Sequence, residues 1–235
     1  MTDGTKTLAG VACGVGAGAL WGLVFLAPEL VGEFGPLPIT IGRYLFYGVL
    51  SLGLIAPRWR GLARRLTRRE WLALAWLALA GNTLYYLLLS AAVQTGGIAM
   101  TSLVIGFLPV AVTIVGSRDD GAVPLGRLLP SIALCAAGAV CIGWQALGGP
   151  DLGRAGSRGV GLLCAIGALA SWTIYAVGNS RWLARLDHVS ANDWNLLTGV
   201  VTGAQASALI PAALALGERR HDAAAWGRLA VVAAG

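Results

Sequence analysis

The sequence predicts an all-α polytopic membrane protein, and three observations carry that prediction. Hydrophobic residues fill 57% of the 235 positions and charged residues only 12%, where a soluble domain carries about 25% charge. Mean hydropathy is +0.72. The charges fall between apolar runs of about 20 residues, the length a helix needs to cross a hydrocarbon core. The same composition excludes a disordered chain. The 34 glycines have no three-residue period, which excludes a collagen-like fibre.

Seven runs are long enough to span. The first, 8–27, follows Lys6; it is too long for a signal-peptide core and has no small-x-small cleavage site. Its Gly10, Gly14, Gly18 and Gly22 share one face and predict close helix approach. The fragment Gly14-x-Gly16-x-Gly18 lacks the strand and βαβ unit that a nucleotide loop requires. The second run, 38–56, places Thr40, Arg43, Tyr47 and Ser51 on one face. The third, 71–92, does the same with Asn82, Tyr85, Tyr86 and Ser90. The fourth, 97–116, contains Pro109, which removes a backbone donor and predicts a kink. The fifth is 125–147. The sixth, 159–180, carries Ser171, Tyr175 and Asn179, and the seventh, 194–216, carries Asn195, Thr198, Thr202 and Gln205 beside Gly199 and Gly203. An eighth run starts at Trp226 and reaches Gly235 after about 15 Å of helix, half a bilayer.

Loop charge predicts orientation. Six arginines fall between Arg58 and Arg69, which places that loop and the N-terminus in the cytoplasm of an inner or plasma membrane. Alternating loops then hold eleven basic residues inside and five outside, with Arg43 in a span. The arginine loop reads either as an orientation signal or as an interfacial helix. In the second reading Trp59, Leu62, Ala63 and Leu66 form its apolar stripe and its arginines meet anionic headgroups. Net charge is +6, but the basic residues punctuate apolar runs rather than covering a soluble surface, so no nucleic-acid partner is expected. Cys13, Cys135, Cys141 and Cys164 all lie in apolar runs without a C-x-x-C pair, which predicts apolar packing rather than a disulfide frame or metal site. No cofactor is expected.

Two landmarks repeat. Ala19-Leu20-Trp21-Gly22 has a counterpart in Ala170-Ser171-Trp172-Thr173, with the tryptophans 151 apart. Glu70-Trp71 leading to Ala80-Gly81 has one in Ala225-Trp226 leading to Ala234-Gly235, 155 apart, and Arg68-Arg69 and Arg219-Arg220 precede the two tryptophans. A half of five spans is odd in number, so the second half sits inverted, an architecture of transporters with a midplane site. The predicted units are a five-helix repeat over 1–147, a linker over 148–158 and an incomplete second repeat over 159–235.

The chain resembles EamA-type members of the drug/metabolite transporter superfamily. The resemblance rests on Ala19-Leu20-Trp21-Gly22, Gly42-Arg43-Tyr44-Leu45, Gly81-Asn82 with Tyr85 and Tyr86, the Ala99-to-Val115 run with Pro109-Val110, the Gly126-to-Gly143 run, and Ser171-Trp172. It implies ten spans in two inverted five-helix halves around a central cavity, and metabolite export. The family's glutamate near the end of span four is absent; Asp119 and Asp120 stand there, and no role is transferred to them. A complete second half would bring the chain to roughly 300 residues. On this reading the 235 residues are C-terminally truncated and do not transport alone.

Polar residues on one face of a span must point away from lipid. Two readings fit these stripes: interhelical hydrogen bonds that hold the bundle, or a wet cavity that binds substrate. The candidate substrate contacts are Trp21, Arg43, Tyr47, Asn82, Tyr86, Trp172, Tyr175, Asn195 and Gln205. Arg43 reads either as a snorkelling or ion-paired arginine, with Glu29 and Glu33 as expected partners, or as an outer gate and anion contact. No span has a central carboxylate, which argues against a carboxylate proton relay. An enzyme is not expected: His188 and His221 lie in loops, and no nucleophile–base set or G-x-S-x-G occurs. The expected function is alternating-access transport of small metabolites, such as amino acids or drug-like amphiphiles. The alternative is a non-transporting membrane scaffold.

Overall fold

The computed structural model describes residues 3–117, 126–130, 132–134, 136–137, 155–216 and 223–234. Among them the chain is helical, with no strand. The helices are α1 (Asp3–Leu30), α2 (Pro36–Ile55), α3 (Trp59–Arg65), α4 (Arg68–Ala78), α5 (Tyr85–Gly96), α6 (Ile98–Gly106), α7 (Leu108–Gly116), α8 (Ala155–Leu183), α9 (Ala191–Ala215) and α10 (Ala223–Ala234). Six stretches are long and apolar enough to cross a membrane: Thr7–Leu30, Pro36–Arg65, Arg68–Gly96, Ile98–Gly116, Ser157–Leu183 and Ala191–Ala215. They coincide with six of the seven predicted runs. The chain is therefore a multi-pass membrane protein. The predicted fifth run is helical where it is described. Asp119, Asp120, Cys135, Cys141 and most of the linker lie outside the described residues.

Local chemistry sets the helix ends. Pro36 starts α2 with its φ already helical. A reciprocal cap starts α4: the Thr67 N–H donates to Glu70 Oε2 at 2.6 Å, and the Glu70 N–H donates to Thr67 Oγ1 at 3.4 Å. Ser190 Oγ accepts from the Asp193 N–H at 3.0 Å and starts α9. Gly97, at φ 85°, turns the chain between α5 and α6. The predicted kink in the fourth run is a break: α6 ends at Gly106, and α7 begins at Leu108 with Pro109 in its first turn. Proline lacks the donor that would have continued α6 through this point.

Two close crossings assemble the bundle. Helix α2 packs on α9 at Gly48 and Gly203, where a Cβ on Gly48 would stand 2.6 Å from the Gly203 Cα. Helix α5 meets α8 at Gly96 and Gly161, where a Cβ on Gly161 would stand 2.7 Å from the Gly96 Cα. Backbones approach this closely only where neither carries a side chain. The glycine face of α1 behaves differently from the expectation: Gly10, Gly14, Gly18 and Gly22 have nothing within 4 Å of a Cβ position. Small residues permit close packing, but a neighbour has to cross at that height, and among the described residues none does.

Candidate functional site

The site is organised by an irregularity in the third span. Leu79–Leu84 form a π turn between α4 and α5, a widening that frees carbonyls and shifts the side chains that follow. The Ala80 carbonyl, within this turn, accepts from the Ser171 hydroxyl of α8 at 2.7 Å. Gly81 lies directly against the ring of Tyr175, which a Cβ there would overlap. Asn82 Nδ2 donates to Thr202 Oγ1 of α9 at 2.8 Å.

Beside this turn lies a cavity of about 370 Å³ with walls from α1, α2, the third span, α8, α9 and α10. Eight of the nine candidate residues line it: Trp21, Arg43, Tyr47, Asn82, Tyr86, Trp172, Tyr175 and Asn195. Its wall holds two groups of contacting rings. Trp172 stands 5.7 Å from Trp21, 5.8 Å from Tyr175 and 6.4 Å from Tyr85, centroid to centroid. Tyr44 stands 5.8 Å from Tyr86 and 6.5 Å from Tyr47. The Tyr47 hydroxyl donates to the Asn195 backbone carbonyl at 3.2 Å. Such a wall offers aromatic faces to a planar or apolar solute.

Arg43 is the charged side chain of this lining. Its guanidinium lies 5.1 Å above the Tyr86 ring, a cation–π contact. The expected partners are elsewhere. Glu33 receives a bidentate grip from Arg228 of α10, at 2.7 Å and 2.9 Å from Nη2 and 3.1 Å from Nε. Glu29 is exposed. Among the described residues no carboxylate pairs with Arg43. The correction has a geometric cause: Arg43 turns inward over Tyr86, while α10 brings a second arginine to the loop.

Gln205 stands outside the cavity. Its Oε1 accepts from the Thr83 hydroxyl at 2.7 Å, and its Nε2 donates to the Ala75 carbonyl at 2.8 Å. Asn179 likewise accepts from the Trp194 indole at 2.9 Å. The polar stripes thus divide: Gln205 and Asn179 bond helix to helix, Asn82 both bonds to Thr202 and lines the cavity, and the aromatic rings face the cavity. On α2 the lining face is rotated from the predicted stripe. Thr40 and Ser51 are buried, Thr40 donating to the Pro36 carbonyl at 2.7 Å, while Tyr44, Phe46 and Leu50 join the lining. Tyr44 was findable, since it stands one turn before Tyr47; Phe46 and Leu50 carry no signal that separates them from lipid-facing residues. No group of three or more metal-ligating side chains stands together among the described residues.

The EamA-like transporter family matches residues 8–144. The inner membrane protein YtfF of Escherichia coli (strain K12) is 32% identical over 201 residues, covering 83% of this chain and 62% of that protein. The chain thus spans less than two thirds of the length of this curated relative. No solved structure matches it.

Proposed function

We propose, from the premise that the chain belongs to the EamA-like transporter family, that it moves small organic solutes across the inner membrane through the aromatic cavity. The carrying observation is that one cavity of about 370 Å³ gathers rings, two amides and a lone guanidinium from α1, α2, the third span, α8 and α9. The convergence of aromatic rings and a guanidinium from separate helices on one space favours transport over a scaffold. Trp21, Arg43, Tyr47, Asn82, Tyr86, Trp172, Tyr175 and Asn195 contact the solute. Amino acids and drug-like amphiphiles suit this lining, with Arg43 the contact for a carboxylate.

The proposed mechanism is alternating access, with inverted repeats over 1–147 and 159–235, joined by 148–158, rocking about the cavity. The contact between Trp21 and Trp172, equivalent positions in the two repeats, supports this arrangement. The N-terminus and the arginine-rich loop face the cytoplasm. The test is solute flux in inverted membrane vesicles from cells expressing the full-length gene, screened over amino acids and amphiphiles. At least one solute should move, and Arg43→Ala should abolish that flux while folded yield stays near normal. No flux above the empty vesicle for any solute would sink the reading, and a collapse in yield would make Arg43 structural.

A further inference from the structure

A second cavity, of about 300 Å³, lies at the arginine-rich edge, away from the aromatic one. One wall is Arg58, Gly61 and Arg65, from α3 and the short turn before it; the other is His188 and Asp193, from the loop and first turn that open α9. Both walls are at span ends, so the cavity opens at the depth of lipid headgroups. Its location follows from packing that the sequence pattern suggested only in part. The α3 stripe does not face lipid: Leu62 and Leu66 are buried, and Trp59 stands 6.2 Å from Trp71 at the start of α4. That leaves Arg65 of α3 turned toward the α8–α9 loop.

The charges are unevenly matched. Arg58 Nη1 lies 3.1 Å from Asp193 Oδ1, and His188 Nε2 lies 3.2 Å from Glu70 Oε1. Arg65 lines the same cavity and has no carboxylate partner among the described residues. Arg58 and Arg65 stand on one wall and present forked donors to a tetrahedral anion, while His188 opposite them is held at both ring nitrogens, by Glu70 at 3.2 Å and by Asp187 at 3.4 Å. A phosphate group has enough acceptor oxygens to meet both arginines, whereas a neutral solute would leave Arg65 unmatched. Leu54, exposed and four residues before Arg58, offers apolar surface on the bilayer side.

We propose that this cavity binds a phosphate group, supplied by the headgroup of an anionic phospholipid. The headgroup sits between α3 and the α8–α9 loop, beside the Arg58–Asp193 pair, which ties the turn before α3 to α9, and the His188–Glu70 pair, which ties the loop to α4. The site is independent of the transport reading.

The test titrates the purified full chain in micelles with phosphatidylglycerol, phosphatidylcholine or sodium phosphate, reading an apparent Kd from the shift in unfolding midpoint. Phosphatidylglycerol should bind measurably tighter than phosphatidylcholine. Arg65→Gln should weaken it about tenfold, and Arg64→Gln, the same charge change at an exposed neighbour outside the cavity, should not. Sodium phosphate acting alone, and losing its effect in Arg65→Gln, would uphold the phosphate site but reassign the source to soluble phosphate. Equal losses in Arg64→Gln and Arg65→Gln would show diffuse charge attraction and overturn the proposal. So would equal affinity for the two lipids with no phosphate effect.

Discussion

The indole of Trp172 lies 5.7 Å from that of Trp21, tilted by 35°. Trp172 is the hub of the cavity wall, since it also meets Tyr85 and Tyr175. Removing it separates Trp21, Tyr85 and Tyr175 without touching Arg43. We expect Trp172→Ala to weaken binding of a transported aromatic solute about tenfold or more, and Trp172→Phe to recover most of it. A binding isotherm on the purified protein checks this. Equal affinity in Trp172→Ala would mean that the ring only packs.

Gly81 is occupied against Tyr175 so closely that any Cβ displaces the ring. Gly81→Ala should therefore destabilise the protein by about 1–3 kcal/mol and shrink the cavity on that side. Gly53, which has nothing within 4 Å of its Cβ position, supplies the control: Gly53→Ala should leave both stability and solute affinity near wild type. Unfolding midpoints of the two variants decide the matter, and a neutral Gly81→Ala would refute the close contact.

Gln205 bonds to Thr83 and to the Ala75 carbonyl rather than lining the cavity. Gln205→Leu should cost about 1–2 kcal/mol of stability and leave solute affinity unchanged. The informative comparison is affinity against unfolding midpoint in one variant. A large loss of affinity at wild-type stability would return Gln205 to the substrate contacts.

The Glu33–Arg228 pair joins the α1–α2 loop to α10, with side chains 37% and 52% exposed. A pair that wet contributes at most about 1 kcal/mol, and salt screens it. Glu33→Gln should lower the unfolding midpoint slightly at low salt and hardly at all in concentrated salt. The charge swap Glu33→Arg with Arg228→Glu should restore most of the loss. A deficit that ignores salt would assign the contact to packing.

The sequence by itself determined the spans and the kinds of residue that could form a site. Span length follows from hydropathy, because each apolar residue in a helix gains transfer free energy into lipid independently of its neighbours. Caps are equally local, so Thr67, Ser190 and Pro36 mark their helix starts before any packing is known. Polar stripes identify faces that avoid lipid, and eight of the nine candidate residues do line one cavity.

Only the tertiary structure decided what each face meets. Gln205 and Tyr47 both stand on polar stripes, yet one bonds to a neighbouring helix and the other lines the cavity. Arg43 found a ring instead of Glu33, which Arg228 took. The glycines of α1 are left open, while Gly48 and Gly203 carry a helix crossing. These outcomes depend on the rotation and crossing height of helices far apart in sequence. Periodicity places a residue on a face, but only packing chooses the neighbour opposite it.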